Sequence, residues 1–215
     1  MNKIFFTDEG KINKNQLITY PDESYEKLKG KTIECSRCHL REKCSRVVMG
    51  EGSIHNKIML IGEGPGADED KQGRPFVGRA GELLNEMLKD NGMAREDLYI
   101  SNIVKCRPPD NRTPREDEMD ACAPILKAEV KLIEPKVIVP LGSTSLNYLL
   151  GGGQSITEKR GQWIEKGDLY FLPTFHPAYI LRNRNVKKDV SRDLKLLKKA
   201  ARRIDELYDC NFSSF

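Results

Sequence analysis

The stretch IMLIGEGPGADEDKQGRPFVGRAG (58–81) decides the fold, because an apolar run enters a glycine-rich turn and an amphipathic segment follows. This order is typical of loops that bind nucleotide phosphates. However, the glycines at 62, 64 and 66 lack both dinucleotide-loop spacing and a Gly-Lys-Ser/Thr ending. The acids Asp68, Glu69 and Asp70 would also repel a phosphate. The loop therefore favours a flat, uncharged ligand that backbone N–H groups approach closely. The alternative is an ordinary strand-to-helix turn with solvated acids.

Short apolar runs predict four buried parallel strands, at residues 57–62, 98–103, 137–142 and 169–173. Helical patterns separate or follow them, at 78–90, 113–133, 143–150 and 188–208. In the second helix Thr113 fits the N-cap, and Glu116 would complete a capping box. The alternation predicts the α/β class, with a parallel sheet covered on both faces. We expect residues 1–30 to be a polar N-terminal extension and 31–215 a single domain.

The predicted sheet also locates a site. In open parallel α/β sheets, ligands bind beyond the carboxyl ends of the strands. At those ends the sequence places Gly62-Glu63-Gly64-Pro65-Gly66, Asn102 and His176. We therefore expect these three segments to meet at one edge of the sheet.

The chain has six cysteines and no visible secretory signal, and in a reducing compartment such cysteines favour metal ligation over disulfides. Four thiolates suit either a [4Fe-4S] cluster or a tetrahedral zinc ion. A redox-active Cys-x-x-Cys is a third option, but this one precedes the first strand. A bound metal group would fix the loop after Asn102. The predicted ligands are Cys35, Cys38, Cys106 and Cys122, with Cys44 as a competitor, Cys210 as a spare and His39 as an alternative ligand.

Basic residues are concentrated near the carboxyl end of the sequence. Residues 176–203 contain ten Lys or Arg and two Asp, while the net charge of the whole chain is only +4. This concentration suits a polyanion such as nucleic acid, and the alternative is the solvated face of a terminal helix. No stretch approaches membrane-spanning length, so we expect a cytoplasmic protein that does not bind membranes.

Four features together are similar to the family 4 uracil-DNA glycosylases of bacteria and archaea. They are GEGPGADEDKQGRPFVGRAG (62–81), SNIVKCRPP (101–109), the C-x2-C…C-x15-C cysteine pattern and FHPAYILRN (175–183). The resemblance implies an α/β/α sandwich around the four-stranded sheet and a [4Fe-4S] cluster on the four cysteines. It also implies an enzyme that hydrolyses the bond between uracil and deoxyribose in DNA. We expect a monomer that acts on uracil-containing DNA, single- or double-stranded.

Within this resemblance each pocket residue has an expected role. The Asn102 amide would accept from uracil N3–H and donate to O4, whereas cytosine presents the opposite pattern. Phe76 would stack on the flipped base. His176 would donate to O2 as the departing base becomes an anion. Backbone groups of Gly62, Glu63 and Gly64 would line the pocket.

The group that activates water is less directly indicated. Gly64 stands where the better-known family 1 glycosylases carry an aspartate, so Glu63 and Glu69 are the candidates. We favour Glu63 for water. Glu69 would then form the pocket wall near uracil C5, where it would crowd thymine's methyl group.

The segment after His176 is expected to contact DNA. Tyr179 or Leu181 would fill the gap left by the flipped base, with Arg182 and Arg184 on phosphates. Two other classes of function remain open: an iron–sulfur DNA-binding module without catalysis, and a redox protein that uses the cysteines alone.

Overall fold

The computed structural model describes the backbone of residues 24–208 and side chains as far as residue 204. Residues 1–23 and Cys210 lie outside this range. The helices within it are α1 (Tyr25–Ile33), α2 (Leu40–Lys43), α3 (Ala67–Gln72), α4 (Arg79–Asp90), α5 (Glu116–Ile133), α6 (Gly142–Leu150), α7 (Ile156–Lys159), α8 (Pro177–Arg182) and α9 (Lys187–Tyr208). Short 3₁₀ turns lie at Arg95–Asp97, Pro109–Asn111 and Arg184–Val186. The strands are β1 (Glu51–Gly52), β2 (Ile58–Gly62), β3 (Tyr99–Asn102), β4 (Val137–Pro140), β5 (Ile164–Lys166) and β6 (Leu169–Phe171).

The described strands form one mixed sheet in the order β1-β3-β2-β4-β6-β5. Its four central strands are parallel and correspond to the four apolar runs, with Met59 opposite Tyr99 and Ile138 opposite Phe171. The expected sheet of four strands needs correction, because β1 and β5 add antiparallel edges. The sheet therefore has six strands.

The two edge strands are too short for a hydrophobic pattern to reveal them. β1 has two residues and β5 has three, which is less than the alternation needed to distinguish a strand. One local signal was present. Gly167-Asp168 is a two-residue hairpin loop in which Gly167 has a φ of 61°, as such turns require.

Helices cover both faces of the sheet, as the sequence predicts. Along β2, Ile58 and Leu60 pack in one hydrophobic cluster with α4, α8 and α9. Met59 and Ile61 pack on the opposite face in a second cluster with α1, α5 and α6. This alternation gives the three layers of an α/β/α arrangement. None of the helices within residues 24–208 has the length and apolar character needed to cross a membrane.

Helix α1 crosses the boundary that the sequence placed at residue 30. Its N-cap Ser24 accepts a hydrogen bond from the Lys27 N–H, and its Leu28 is buried in the core. The Tyr25 hydroxyl donates to the carbonyl of Gly50 over 2.5 Å. Residues 25–30 therefore pack on the domain rather than extending from it.

Helix α5 begins later than expected. Its N-cap is Arg115 rather than Thr113, and the Glu118 carboxylate accepts from the Arg115 N–H at 2.7 Å. Arg112 donates to both oxygens of Glu118, over 2.8 and 2.6 Å. This bidentate contact fixes Glu118 at the third helical position, so Glu118 replaces Glu116 in the cap.

A buried ion pair joins β3 to α5. The Lys105 ammonium donates to Glu129 Oε2 at 2.6 Å, and both side chains are almost fully buried. It also donates to the Ser101 hydroxyl at 2.7 Å and to the Asn102 carbonyl at 2.6 Å. The Glu129 carboxylate further accepts from the Tyr99 hydroxyl at 3.0 Å and the Gly50 N–H at 2.9 Å. Every bond that the two charges need is thus supplied inside the core.

We expect Lys105→Met to lower the free energy of unfolding by about 3–5 kcal/mol, because it leaves the Glu129 carboxylate buried without a cation. Combining it with Glu129→Gln should recover part of the loss. Urea unfolding measures both. The control is Lys195→Met, at an exposed position of α9, with an expected effect within about 0.5 kcal/mol. Equal effects of Lys105→Met and the control would contradict this role.

Candidate active site

A pocket of about 800 Å³ lies at the carboxyl ends of the parallel strands. Glu63 and Gly64 reach it from the end of β2, Asn102 from the end of β3, and His176 from the loop after β6. Phe76, Tyr179 and Arg182 also line it. The prediction that the three segments meet at one edge of the sheet is therefore confirmed.

Asn102 presents an unsatisfied polar atom in this pocket. The residue is 2% exposed, and within the described residues its Oδ1 has no hydrogen-bond partner. Such a buried acceptor is costly unless a ligand supplies a donor. The backbone of Asn102 is held by Lys105, so the amide has little freedom to move away. Gly62 is required beside it, because a Cβ there would lie 2.4 Å from Oδ1.

Phe76 occupies the pocket in a strained backbone conformation. Its φ is 53°, a left-handed value that side chains other than glycine adopt rarely. Arg95 holds this conformation by donating to the carbonyls of Phe76, at 3.0 Å, and Pro75, at 2.5 Å. Strain maintained by surrounding bonds is typical of functional positions. The Phe76 ring lies 5.6 Å from the His176 ring, centroid to centroid.

The hydrogen bonds of His176 fix its tautomer. Nδ1 accepts from the Ala178 N–H at 3.1 Å, which caps helix α8. Burial lowers the pKa of His176 to about 4, and the positive charge of Arg182 adds to the effect. The imidazole is therefore neutral at physiological pH and carries its proton on Nε2. A neutral N–H donor is what the predicted contact with uracil O2 requires.

Two of the acids in the glycine-rich loop bind backbone groups instead of facing solvent. The Glu69 carboxylate accepts from the N–H groups of Gly66, at 3.1 Å, and of Val77 and Gly78, both at 2.9 Å. Asp70 accepts from the Ser45 N–H at 2.8 Å. Three backbone N–H donors beside the pocket are thus already bonded to a carboxylate, which agrees with the preference for an uncharged ligand.

Glu63 has a different environment from Glu69. Its backbone carbonyl accepts from the Val104 N–H at 3.2 Å, and its Oε2 accepts from the Thr144 hydroxyl at 2.6 Å. The side chain lines the pocket and is only partly buried. One carboxylate oxygen therefore remains accessible for a further donor.

The four predicted metal ligands surround one small cavity beneath the loop after β3. Cys35, Cys38, Cys106 and Cys122 all line it, and the Lys105 N–H donates to the Cys122 sulfur at 3.3 Å. Burial raises the pKa of the Cys122 thiol to about 12 in the absence of a cation. Cys44 contacts Cys106 but is not part of the lining.

His39 is not placed as a ligand of this cavity. Its Nε2 lies 2.6 Å from Glu118 Oε1, and it is not part of the lining. Among the described side chains, which end at residue 204, no three His, Cys, Asp or Glu groups converge closely enough to hold a single metal ion.

The face expected to meet DNA is helix α8 and the turn after it. Tyr179 and Leu181 are each 38% exposed. The Tyr179 ring packs on Phe175 with centroids 5.1 Å apart. Arg182 and Arg184 are exposed on the same segment. All four residues are therefore accessible beside the pocket.

Comparison with known proteins agrees with this geometry. A family model described as the uracil DNA glycosylase superfamily matches residues 49–198, which is most of the chain. The chain belongs to this superfamily. It is 46% identical to the type-4 uracil-DNA glycosylase of Thermotoga maritima over 186 residues, 83% of this chain and 97% of that protein. Identity to the type-4 enzyme of Sulfurisphaera tokodaii is 43%, over 83% of this chain and 86% of that protein.

A third relative is the type-4 uracil-DNA glycosylase of Saccharolobus solfataricus, with 41% identity over 78% of this chain and 82% of that protein. These relatives confirm the family resemblance that the sequence motifs indicated.

Four residues that support the pocket were not identified from the sequence: Lys105, Glu129, Arg95 and Thr144. Lys105 gave one signal, since it interrupts an apolar segment between β3 and a cysteine. The other three lie far from their partners along the chain, and Thr144 and Glu63 are 81 positions apart. Pairings of this kind depend on the folded topology and leave no local pattern.

We expect Gly62→Ala to lower the free energy of unfolding by about 1–3 kcal/mol, because its Cβ would lie 2.4 Å from Asn102 and 2.5 Å from Phe76. The matched control is Gly30→Ala in α1, where a Cβ meets nothing within 4 Å. Because alanine is the better helix former, this control should raise stability by about 0.5–1 kcal/mol. Urea unfolding of both variants tests the pair, and changes of the same sign would contradict the packing described here.

Proposed function

We propose that this protein is a monofunctional DNA repair glycosylase that hydrolyses the N-glycosidic bond between uracil and deoxyribose, releasing uracil and leaving an abasic site. The observation that carries the proposal is the buried, unpartnered Asn102 Oδ1 in a pocket that also contains a neutral histidine donor. Uracil offers a donor at N3 and acceptors at O2 and O4. These groups complement the two side chains.

Discrimination against cytosine follows from the same amide. Asn102 accepts from uracil N3–H and donates to O4, but cytosine has an acceptor at N3 and an amino group at C4. Each mismatched buried pair costs about 1–3 kcal/mol. Lys105 and Gly62 keep the amide in one place, so it cannot move to avoid the mismatch. The pocket therefore selects the deaminated base.

His176 assists departure of the base. As the glycosidic bond breaks, its electron pair moves to the uracil ring, and negative charge develops on O2. The Nε2–H donor stabilises this charge more strongly in the transition state than in the ground state. Phe76 stacks on the ring, and backbone groups of Gly62, Glu63 and Gly64 line the base pocket.

Glu63 and Glu69 have the different roles that the sequence predicts for them. Glu69 already accepts three backbone N–H bonds, so it is suited to hold the loop and form the pocket wall that excludes thymine's methyl group. Glu63 has an accessible oxygen in the pocket and is the better candidate to orient water. A slower reaction in Glu69→Gln than in Glu63→Gln would reverse this assignment.

DNA binding would use the face beside the pocket. Tyr179 or Leu181 fills the space of the flipped nucleotide, and Arg182 and Arg184 contact phosphates. Their exposure supports this role. Contacts of this kind make binding strongly dependent on salt. We further propose that the protein acts as a monomer on single- or double-stranded DNA in the bacterial or archaeal cytoplasm. We also propose that residues 31–215, together with the start of helix α1 that packs on them, form its one domain.

A [4Fe-4S] cluster fits the cysteine cavity better than zinc does. Four thiols from distant segments line one cavity, yet no three ligand groups within the described chain converge on a single ion. A ligand with several metal atoms satisfies both observations. Cys35, Cys38, Cys106 and Cys122 would hold it. The bound group would supply a rigid connection between the α1–α2 loop, the segment after Asn102 and helix α5.

The activity test is excision from an oligonucleotide with one uracil, with matched cytosine and thymine strands, followed by alkaline cleavage of abasic sites. We expect scission at uracil alone. His176→Asn keeps an acceptor for the Ala178 N–H but loses the Nε2 donor, so its rate should fall about 100- to 1,000-fold. Asn102→Ala should abolish most of the activity. DNA binding without scission by the native protein would instead support a non-catalytic binding module.

The cofactor test compares cysteine variants in protein purified without oxygen. We expect native protein and Cys44→Ser to contain iron and sulfide and to show the visible sulfide-to-iron absorption. Cys122→Ser should lose both, because it removes a ligand. A colourless native protein loaded with zinc would contradict the cluster. Equal loss of iron in Cys44→Ser would make Cys44 a ligand.

A further inference from the structure

Thr144 contacts a catalytic candidate from a separate helix. It lies in the first turn of α6, lines the pocket, and donates its hydroxyl proton to Glu63 Oε2 at 2.6 Å. Among the described side chains, which end at residue 204, Thr144 is the hydrogen-bond donor to the Glu63 carboxylate. A threonine at this position could face solvent instead, so its short hydrogen bond to Glu63 needs a physical explanation.

The start of α6 is itself firmly placed. Gly142 has a φ of 88°, and its N–H donates to the carbonyl of Thr174 at 2.9 Å. The adjacent Leu141 and Thr174 form a parallel bridge, two residues before His176. The first turn of α6 is thereby tied to the loop that carries His176. Thr144 therefore fixes the position of Glu63 relative to His176, the histidine proposed to bind the base.

From this geometry we infer that Thr144 is the positioning residue for water activation, acting through Glu63. The inference rests on the proposed function. The Val104 N–H fixes the backbone of Glu63, and the Thr144 hydroxyl fixes the far end of its side chain. Without Thr144 the three side-chain torsions of Glu63 are free to rotate. With the Thr144 bond in place, the Oε1 atom of Glu63 is held in one orientation.

The reaction step assigns a task to each oxygen. As the bond between C1′ and the uracil nitrogen breaks, the base leaves with the electron pair, and His176 stabilises the resulting anion. Water attacks C1′ through its oxygen and transfers a proton to Glu63 Oε1. Oε2 remains bonded to Thr144 throughout. The products are an abasic deoxyribose with a hydroxyl at C1′ and the uracil anion, which becomes free uracil by taking up a proton as Glu63 releases its own through solvent.

The test measures single-turnover excision with protein in excess over a uracil-containing duplex. We expect Thr144→Val to slow excision about 10- to 100-fold, because a displaced base loses alignment with its reaction partner. Thr144→Ser keeps the hydroxyl and should restore most of the rate. Affinity for a duplex with a stable abasic-site analogue should change less than about twofold, because Thr144 acts on chemistry rather than on binding.

A matched control separates this effect from general perturbation of the pocket. Thr157 lies in α7, is exposed and lines the same pocket, but it makes no hydrogen bond with Glu63. Thr157→Val makes the same chemical change without removing a bond to Glu63, so it should slow excision much less than Thr144→Val does. An equal loss in Thr157→Val and Thr144→Val would overturn the inference.

A double-mutant cycle with Glu63→Gln supplies the decisive comparison. If Thr144 acts through Glu63, Thr144→Val should add little to the loss that Glu63→Gln already causes. A full additional loss would place the action of Thr144 elsewhere and overturn the inference, as would a native rate in Thr144→Val. These outcomes differ from failure of the proposed function, in which native protein would not excise uracil at all.

Discussion

The buried pair of Lys105 and Glu129 is the interaction on which the rest of the site depends. It lies between the Asn102 end of β3 and the cysteine-bearing helix α5, and it holds the Asn102 carbonyl directly. Charges are costly to bury, so this network is tolerated only because each polar atom has a partner. The same lysine contributes its N–H to Cys122. Lys105 thus connects Asn102, the residue proposed to read the base, to the cysteine cavity.

Around this rigid centre, the side chains proposed to bind the base are neutral. Asn102 and His176 are uncharged, and the loop acid Glu69 is occupied by backbone donors. Under the proposed function, fixed dipoles would match an uncharged base that becomes an anion only as it leaves, and they would need no reorganisation during the reaction. Positive charge lies on Arg182, which lines the pocket, on the exposed Arg184 and on the helix that follows. Under the proposed function the DNA backbone would lie along these residues, so base recognition and phosphate binding would use different side chains.

The sequence predicted those features that depend on local pattern. Apolar runs identified the four parallel strands, and the rule for strand ends brought Gly62, Asn102 and His176 together. It could not predict the two edge strands, whose two or three residues carry no periodicity. The sequence also predicted the wrong N-cap for α5, because Arg112 fixes Glu118 through a contact that helix propensity does not encode. The bonds from Thr144 to Glu63 and from Lys105 to Glu129 join residues that only the fold brings together.

The most direct measurement of the central claim, that a neutral histidine and a fixed amide read the uracil edge, is NMR of the His176 imidazole. In ¹⁵N-labelled protein at pH 6, assigned by comparison with His176→Asn, we expect one ring proton, on Nε2. Free uracil should shift this resonance, and cytosine should not. A proton on Nδ1, a doubly protonated ring, or equal responses to both bases would contradict the account.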